Sequence, residues 1–213
     1  MPNKDNREYR NFKLGIQERA EGGVEEERKI VEGYASTFDE PYTLFEGDGY
    51  KFNEVVDRGA FDNTDMSDVI FQYNHEGRVF ARNKNNTLEV NPDDRGLFIT
   101  ADLGGTEIGR ELYDEIRGGY TDKMSFGFTV NGETEEREKT DEGVIIYTRH
   151  ITSVEKLYDV SAVSIPANDA TSISVRKLTD GVIEKLKAER LEEEKTELER
   201  LRATTRARLL GGN

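Results

Sequence analysis

The sequence predicts an α+β protein, a strand-rich body that ends in a long charged helix, and three patterns carry that prediction. Several stretches alternate apolar and polar residues; in the clearest, Met124, Phe126, Phe128 and Val130 oppose Ser125, Gly127 and Thr129. Just before it the period changes, with Ile108, Leu112 and Ile116 recurring every four residues, as on a helix. From Asp180 to about Leu209 the chain is rich in Glu, Lys, Arg and Leu. There Ile183, Leu186, Leu191, Leu198 and Leu201 form a patchy apolar stripe, too irregular for a coiled-coil register.

Taken in order, Phe12, Leu14 and Ile16 share one face of a first strand within Tyr9 to Ile16. The segment E-R-A-E-G-G-V-E-E-E-R reads as a loop, and K-I-V-E-G-Y-A-S-T-F as a second strand, the hairpin partner of the first. Asp39 to Gly49, with Pro41 and Gly47, reads as a surface loop. In M-S-D-V-I-F-Q-Y-N-H, Val69, Phe71 and Tyr73 share a strand face opposite Ile70 and Gln72, and His75 falls at or just past the strand's end. Two strands then flank N-P-D-D-R-G, where Pro92 presets φ and Gly96 tolerates positive φ. Thr106 caps the helix and Gly118-Gly119 ends it. After the Ser125 strand, N-G-E-T-E-E-R-E-K-T-D-E-G reads as a polar hairpin tip. V-I-I-Y-T-R-H-I-T-S-V is the returning strand, and V-S-A-V-S-I, before Pro166, is the last.

Composition narrows the function. At 213 residues the chain suits one domain and an appendage. Its apolar fraction is 34% and its charged fraction 35%, so part of it stands outside the packed core. The absence of cysteine excludes disulfides, thiolate catalysis and Cys-ligated zinc. M-P-N-K-D-N-R-E lacks an apolar signal core, and no run of about 18 apolar residues occurs, so a cytosolic protein without a membrane span is expected. Residues 1–176 carry 21 Lys/Arg against 36 Asp/Glu, a net −15, which disfavours direct nucleic-acid binding.

Three side chains offer chemistry. The chain has only two histidines, His75 and His150, and they bracket Ser125 in K-M-S-F-G-F. A serine hydroxyl needs a base within about 3 Å, and that base works better when a third group fixes its tautomer. His75 is the candidate base and Ser125 the candidate nucleophile. His150 is the first choice for the orienting member and Asp159 the alternative. Gly127, on the face of Ser125, would let a substrate backbone approach. Structural roles stay open, since a serine beside glycine also serves as a small packed residue and a histidine as a satisfied polar one. Zinc on His75, Glu76 and His150 is disfavoured, because adjacent strand residues point to opposite faces and no H-E-x-x-H motif is present. No phosphate-binding G-x-x-x-x-G-K-[ST] loop occurs.

Four motifs, E-G-Y-A-S-T-F-D, F-Q-Y-N-H-E, K-M-S-F-G-F and L-Y-D-V-S-A-V-S-I-P-A-N, in this order within roughly residues 8–176, resemble the prohead protease family of tailed bacteriophages. That family is related in fold to herpesvirus assemblin. The resemblance implies a mixed, mostly antiparallel β-barrel-like core with surrounding helices. It makes Ser125 the nucleophile and His75 the base, with His150 third by the assemblin-like Ser-His-His pattern or Asp159 by the acidic residue in Y-D-V-S. It implies a serine endopeptidase that needs no cofactor or metal and that cuts the major capsid protein, its scaffold segment and itself. This would take place inside the immature prohead, in the cytoplasm of the bacterial host; contact with the portal and a homodimer are compatible with it. Residues 1–176 would be the protease domain. Residues 177–213 would be a helical arm that engages scaffold or capsid, or is removed by autocleavage. Oxyanion donors are expected near Gly118-Gly119 or in a turn before Asp159. The alternative function is a non-catalytic scaffold or assembly subunit of the prohead.

Overall fold

A computed structural model of the chain describes residues 7–13, 17–18, 28–164 and 173–210. It is α+β. The first part of the chain holds β1 (Glu8–Lys13), β2 (Gln17–Glu18), β3 (Ile30–Thr37), β4 (Tyr42–Gly47) and β5 (Tyr50–Val56). Next come β6 (Ile70–Tyr73), β7 (Glu76–Arg82), β8 (Leu88–Pro92), β9 (Gly96–Asp102) and helix α1 (Glu107–Arg117). The chain closes with β10 (Lys123–Lys139), β11 (Ile145–Val163) and helix α2 (Ile173–Leu210).

One seven-stranded sheet runs β1-β10-β11-β5-β4, with β6 and β7 attached through β11, and a four-stranded sheet runs β2-β3-β9-β8. The first is mixed: β11 pairs parallel with β5 and with β6, and the other ladders are antiparallel. Closure into a barrel is not seen among the described residues. A shared core joins Val31, Leu97 and Ile99 of the smaller sheet to Phe71, Phe126, Phe128 and Leu157 of the larger, with Leu112 and Ile116 of α1. Phe126 and Phe128 stack with centroids 4.5 Å apart, and each such fully buried side chain contributes about 1.5–3 kcal/mol by its burial.

The helix forms as its spacing predicts. Thr106 Oγ1 accepts from Gly109 N at 3.1 Å, and Gly119 follows the helix at φ 74°. The β8–β9 hairpin also forms, but Gly96 is needed for a different reason than expected. A Cβ there would stand 1.9 Å from the Ser36 carbonyl oxygen, so close approach, not positive φ, requires glycine.

Four readings of the sequence are corrected. Asp39 to Gly49 is not a loop throughout, because β4 and β5 form a hairpin whose two-residue turn, Asp48 (φ 53°) and Gly49 (φ 79°), suits a type I′ geometry. The first strand pairs with β10, not with β3, which lies between β2 and β9. The polar tip is strand as far as Lys139, with the turn confined to the Thr140–Val144 region. Charged residues can extend a hairpin past the core when their partners match, as Glu133 and Arg149 do at 2.5 Å. The two last strands are one, the 19-residue β11. The readings at Leu14 to Ile16, most of the loop at 18–28, and Pro166 with its neighbours at 165–168 lie outside the described residues.

Helix α2 is continuous across 176 and 177, so the expected boundary falls within it. Leu186 packs with Leu44, Tyr50, Phe52, Ile145 and Tyr147, and Arg137 pairs with Glu189 at 2.7 Å. Beyond that, Leu191, Leu198 and Leu201 are exposed. No helix among the described residues is long and apolar enough to cross a membrane.

Candidate active site

The site is built on three adjacent strands and one tight turn. Tyr73 and Glu76 pair across the β6–β7 hairpin, leaving Asn74 (φ 51°) and His75 (φ 59°) as its two central residues. Both take positive φ, the geometry of a type I′ turn, and Asn and His tolerate that region better than most residues. The turn is pinned to the end of β11: Asn74 N donates to the Ala162 carbonyl at 2.9 Å, and Ser164 N donates to Asn74 Oδ1 at 3.1 Å. Register then does the rest. On the β10–β11 ladder Ser125 faces Ser161 and Gly127 faces Asp159, so Ser125 and Asp159 are diagonal neighbours on one face of the sheet.

His75 spans that diagonal. Its Nδ1 lies 2.5 Å from Asp159 Oδ1 and its Nε2 lies 2.6 Å from Ser125 Oγ. An ionised carboxylate can only accept, so Nδ1–H donating to Asp159 leaves Nε2 as the acceptor that faces the hydroxyl. Ser125, Asp159 and Ser161 are buried, and the His75 side chain is 16% exposed.

Two residues of this cluster escaped the sequence reading. Ser161 Oγ donates to Asp159 Oδ1 at 2.9 Å and stands 3.2 Å from His75 Nδ1; its place two residues after Asp159 on a strand was the available signal. Tyr9, from β1, sets its ring 4.3 Å from the imidazole at 57°. Burial, aided by the negative charge of Asp159, raises the Tyr9 phenol above its ordinary pKa. Gly127 has a role other than admitting substrate: a Cβ there would lie 2.3 Å from Asp159 Oδ2 and 2.7 Å from Tyr9 Cε1. Its missing side chain makes room for the carboxylate.

His150 is elsewhere. Its Nδ1 meets Asp57 Oδ1 at 2.8 Å and its Nε2 lies 3.6 Å from Glu136. It precedes Asp159 by nine residues on β11, roughly 30 Å along a strand. The structure therefore brings Asp159, not His150, to His75, because the parallel pairing of β6 with β11 begins at Asp159. His75, Glu76 and His150 do not converge on one point. The Gly118 and Gly119 N–H groups donate to the Asp114 and Ile116 carbonyls at 2.8 and 3.0 Å, which commits them to closing α1, and Asp159 lies within β11 with no turn next to it.

Beside the site lies a buried charge cluster. Arg10, 2% exposed, donates from Nε and Nη2 to Glu54 at 2.5 and 2.7 Å; Arg149 donates to Glu54 at 2.8 Å and to Glu8 at 2.6 Å, and the Tyr42 hydroxyl also meets Glu54. Burial by itself would lower the Arg10 pKa, but Glu54, Tyr42 and Glu8 together outweigh it and hold the guanidinium charged. Burial would likewise raise Glu8, and hydrogen bonding to Arg149 with the charge of Arg10 brings it below its ordinary value.

Over 157 residues the chain is 27% identical to the prohead protease of Enterobacteria phage HK97, an alignment that takes in 72% of this chain and 62% of that protein. No solved structure matches the chain. The profile of the caudovirus prohead serine proteases matches residues 15–185, from before β2 into α2. This stretch is most of the sequence and includes His75, Ser125 and Asp159, and the chain belongs to the caudovirus prohead serine protease family.

Proposed function

We propose that this chain is a serine endopeptidase in which Ser125 is the nucleophile, His75 the general base and Asp159 the group that orients it. The observation that carries the reading is the imidazole bridge, 2.5 Å to Asp159 and 2.6 Å to Ser125. His75 Nε2 takes the Ser125 proton as Oγ attacks a peptide carbonyl. It then gives that proton to the leaving amine, and water hydrolyses the acyl-enzyme with the same base. Asp159 holds Nδ1–H through both steps, and Ser161 holds Asp159.

The substrates proposed are capsid proteins with their scaffold segments, cut inside the prohead within the host cell, and self-cleavage belongs to the same reading. Membership of the prohead protease family supports it. The exposed leucines of α2 beyond Glu189 suit contact with scaffold or capsid.

Co-expression of the chain with its cognate capsid protein, followed by intact-protein mass spectrometry, tests the reading. Wild type yields defined products. Ser125→Ala lowers turnover by roughly 10⁶-fold, the scale on which removal of a triad serine acts. Undiminished cleavage by Ser125→Ala overturns the assignment.

A further inference from the structure

Strand β1 lies over both reacting groups. Ser125 Oγ donates to the Arg10 carbonyl at 2.8 Å, the Tyr9 ring packs on His75, and beneath this cover Ser125 is 0% exposed. Attack needs a substrate carbonyl about 3–3.5 Å from Oγ. The single hydroxyl hydrogen cannot go to His75 while it goes to Arg10. The arrangement thus closes the site by shape and by hydrogen bonding together.

β1 is also an edge strand of the larger sheet. It ends the sheet order, so its release breaks one ladder, residues 8–13 against 123–128, and uncovers a β10 edge centred on Ser125. A free strand edge is a template for an extended peptide. Among the described side chains of β1, several fastenings are ionic. Arg10 reaches Glu54, Glu8 reaches Arg149, and the Arg7 guanidinium sits 3.7 Å over the Tyr158 ring. A buried ion cluster adds little net stability over an apolar replacement, but withdrawing one partner is strongly destabilising, so it holds β1 in one arrangement until a competing strand takes its place. That combination suits a latch better than a permanent staple.

We infer that β1 is a displaceable latch on the substrate groove: an extended segment of the protein to be cut pairs with β10 as an antiparallel strand where β1 now lies. This rests on the serine-protease reading above. The favoured substrate class is an unfolded or flexible segment able to supply a strand, not a loop held on a folded surface.

A disulfide lock tests this. The chain has no cysteine, so Lys13→Cys with Lys123→Cys creates one pair only, at positions that are direct Cα partners. Cross-strand partners stand about 4.5–5.5 Å apart, within the span of a disulfide. The readout is the rate at which a fluorophosphonate probe modifies Ser125, followed by intact mass. The oxidised variant should label roughly tenfold or more slower than the same sample reduced, in proportion to the open fraction lost, while wild type ignores the reductant. Equal rates in the two forms overturn the latch and leave the protease reading intact. Equal labelling of Ser125→Ala and wild type overturns the protease reading instead. A second variant, Glu54→Gln, loosens the fastening without touching the reacting groups. It should label several-fold faster than wild type, and a folded Glu54→Gln protein that labels no faster counts against the latch.

Discussion

The two histidines make nearly the same contact and have different surroundings. His75 sets Nδ1 2.5 Å from Asp159, and His150 sets Nδ1 2.8 Å from Asp57. The other nitrogen of His75 meets a serine hydroxyl at 2.6 Å, whereas that of His150 faces the Glu136 carboxylate at 3.6 Å. The carboxylates differ as well: the Asp159 side chain is 2% exposed and that of Asp57 is 33% exposed. A hydrogen bond away from water is electrostatically stronger and better fixed in direction. An imidazole oriented by a carboxylate is therefore common to both places, and what separates them is a hydroxyl in register and a dry partner.

The largest expected effect that bears on this contrast comes from Asp159→Asn. It keeps the shape and removes the charge that selects the Nδ1–H tautomer, so kcat should fall by about 10⁴-fold. Asp57→Asn, the matching change at the other pair, should leave kcat unchanged. Steady-state cleavage by the two variants measures the difference, and equal losses would erase the distinction drawn between the pairs.

Gly127→Ala comes next. The added methyl group would meet Asp159 Oδ2 and Tyr9 Cε1 at 2.3 and 2.7 Å. Overpacking of this kind costs about 1–3 kcal/mol of stability. Because the displaced atom belongs to the His75 partner, turnover should fall further than thermal melting alone accounts for. A variant with wild-type kcat and a lowered Tm would show that Asp159 tolerates the shift.

The smallest effect is expected from His150→Gln. The pair with Asp57 is partly exposed and contributes about 1 kcal/mol or less, so turnover should stay within about threefold of wild type. A loss comparable to that of Asp159→Asn would restore His150 to the site and sharpen the search for a rearranged state.

Local patterns made much of the molecule legible. Ile108, Leu112, Ile116 and Thr106 describe α1 because helical spacing and capping act within a few residues. The alternation about Ser125 shows the strand, and the short apolar run before N-H shows that His75 falls just past the end of one. Asp48-Gly49 was as plain a turn signal, and Pro41 and Gly47 near it hid it among loop residues.

Position along the chain did not identify the group that lies against His75 Nδ1. His150 stands in the hairpin strand that follows Ser125, as the expected pattern required, yet that strand continues for 13 residues beyond it and the choice among its polar side chains depends on register. The β10–β11 ladder sets Asp159 diagonal to Ser125, and the parallel pairing with β6 brings the His75 turn over that diagonal. The sequence by itself determined which elements form, which family the motifs resemble, and that a serine and a histidine were available for acyl transfer. Only the tertiary structure decided that Asp159 completes the cluster, that Ser161 and Tyr9 surround it, and that β1 covers it. The physical reason is that helix spacing, turns and strand alternation are set by neighbouring residues, whereas strand partners and register are set by which buried faces and charges fit together across the whole chain.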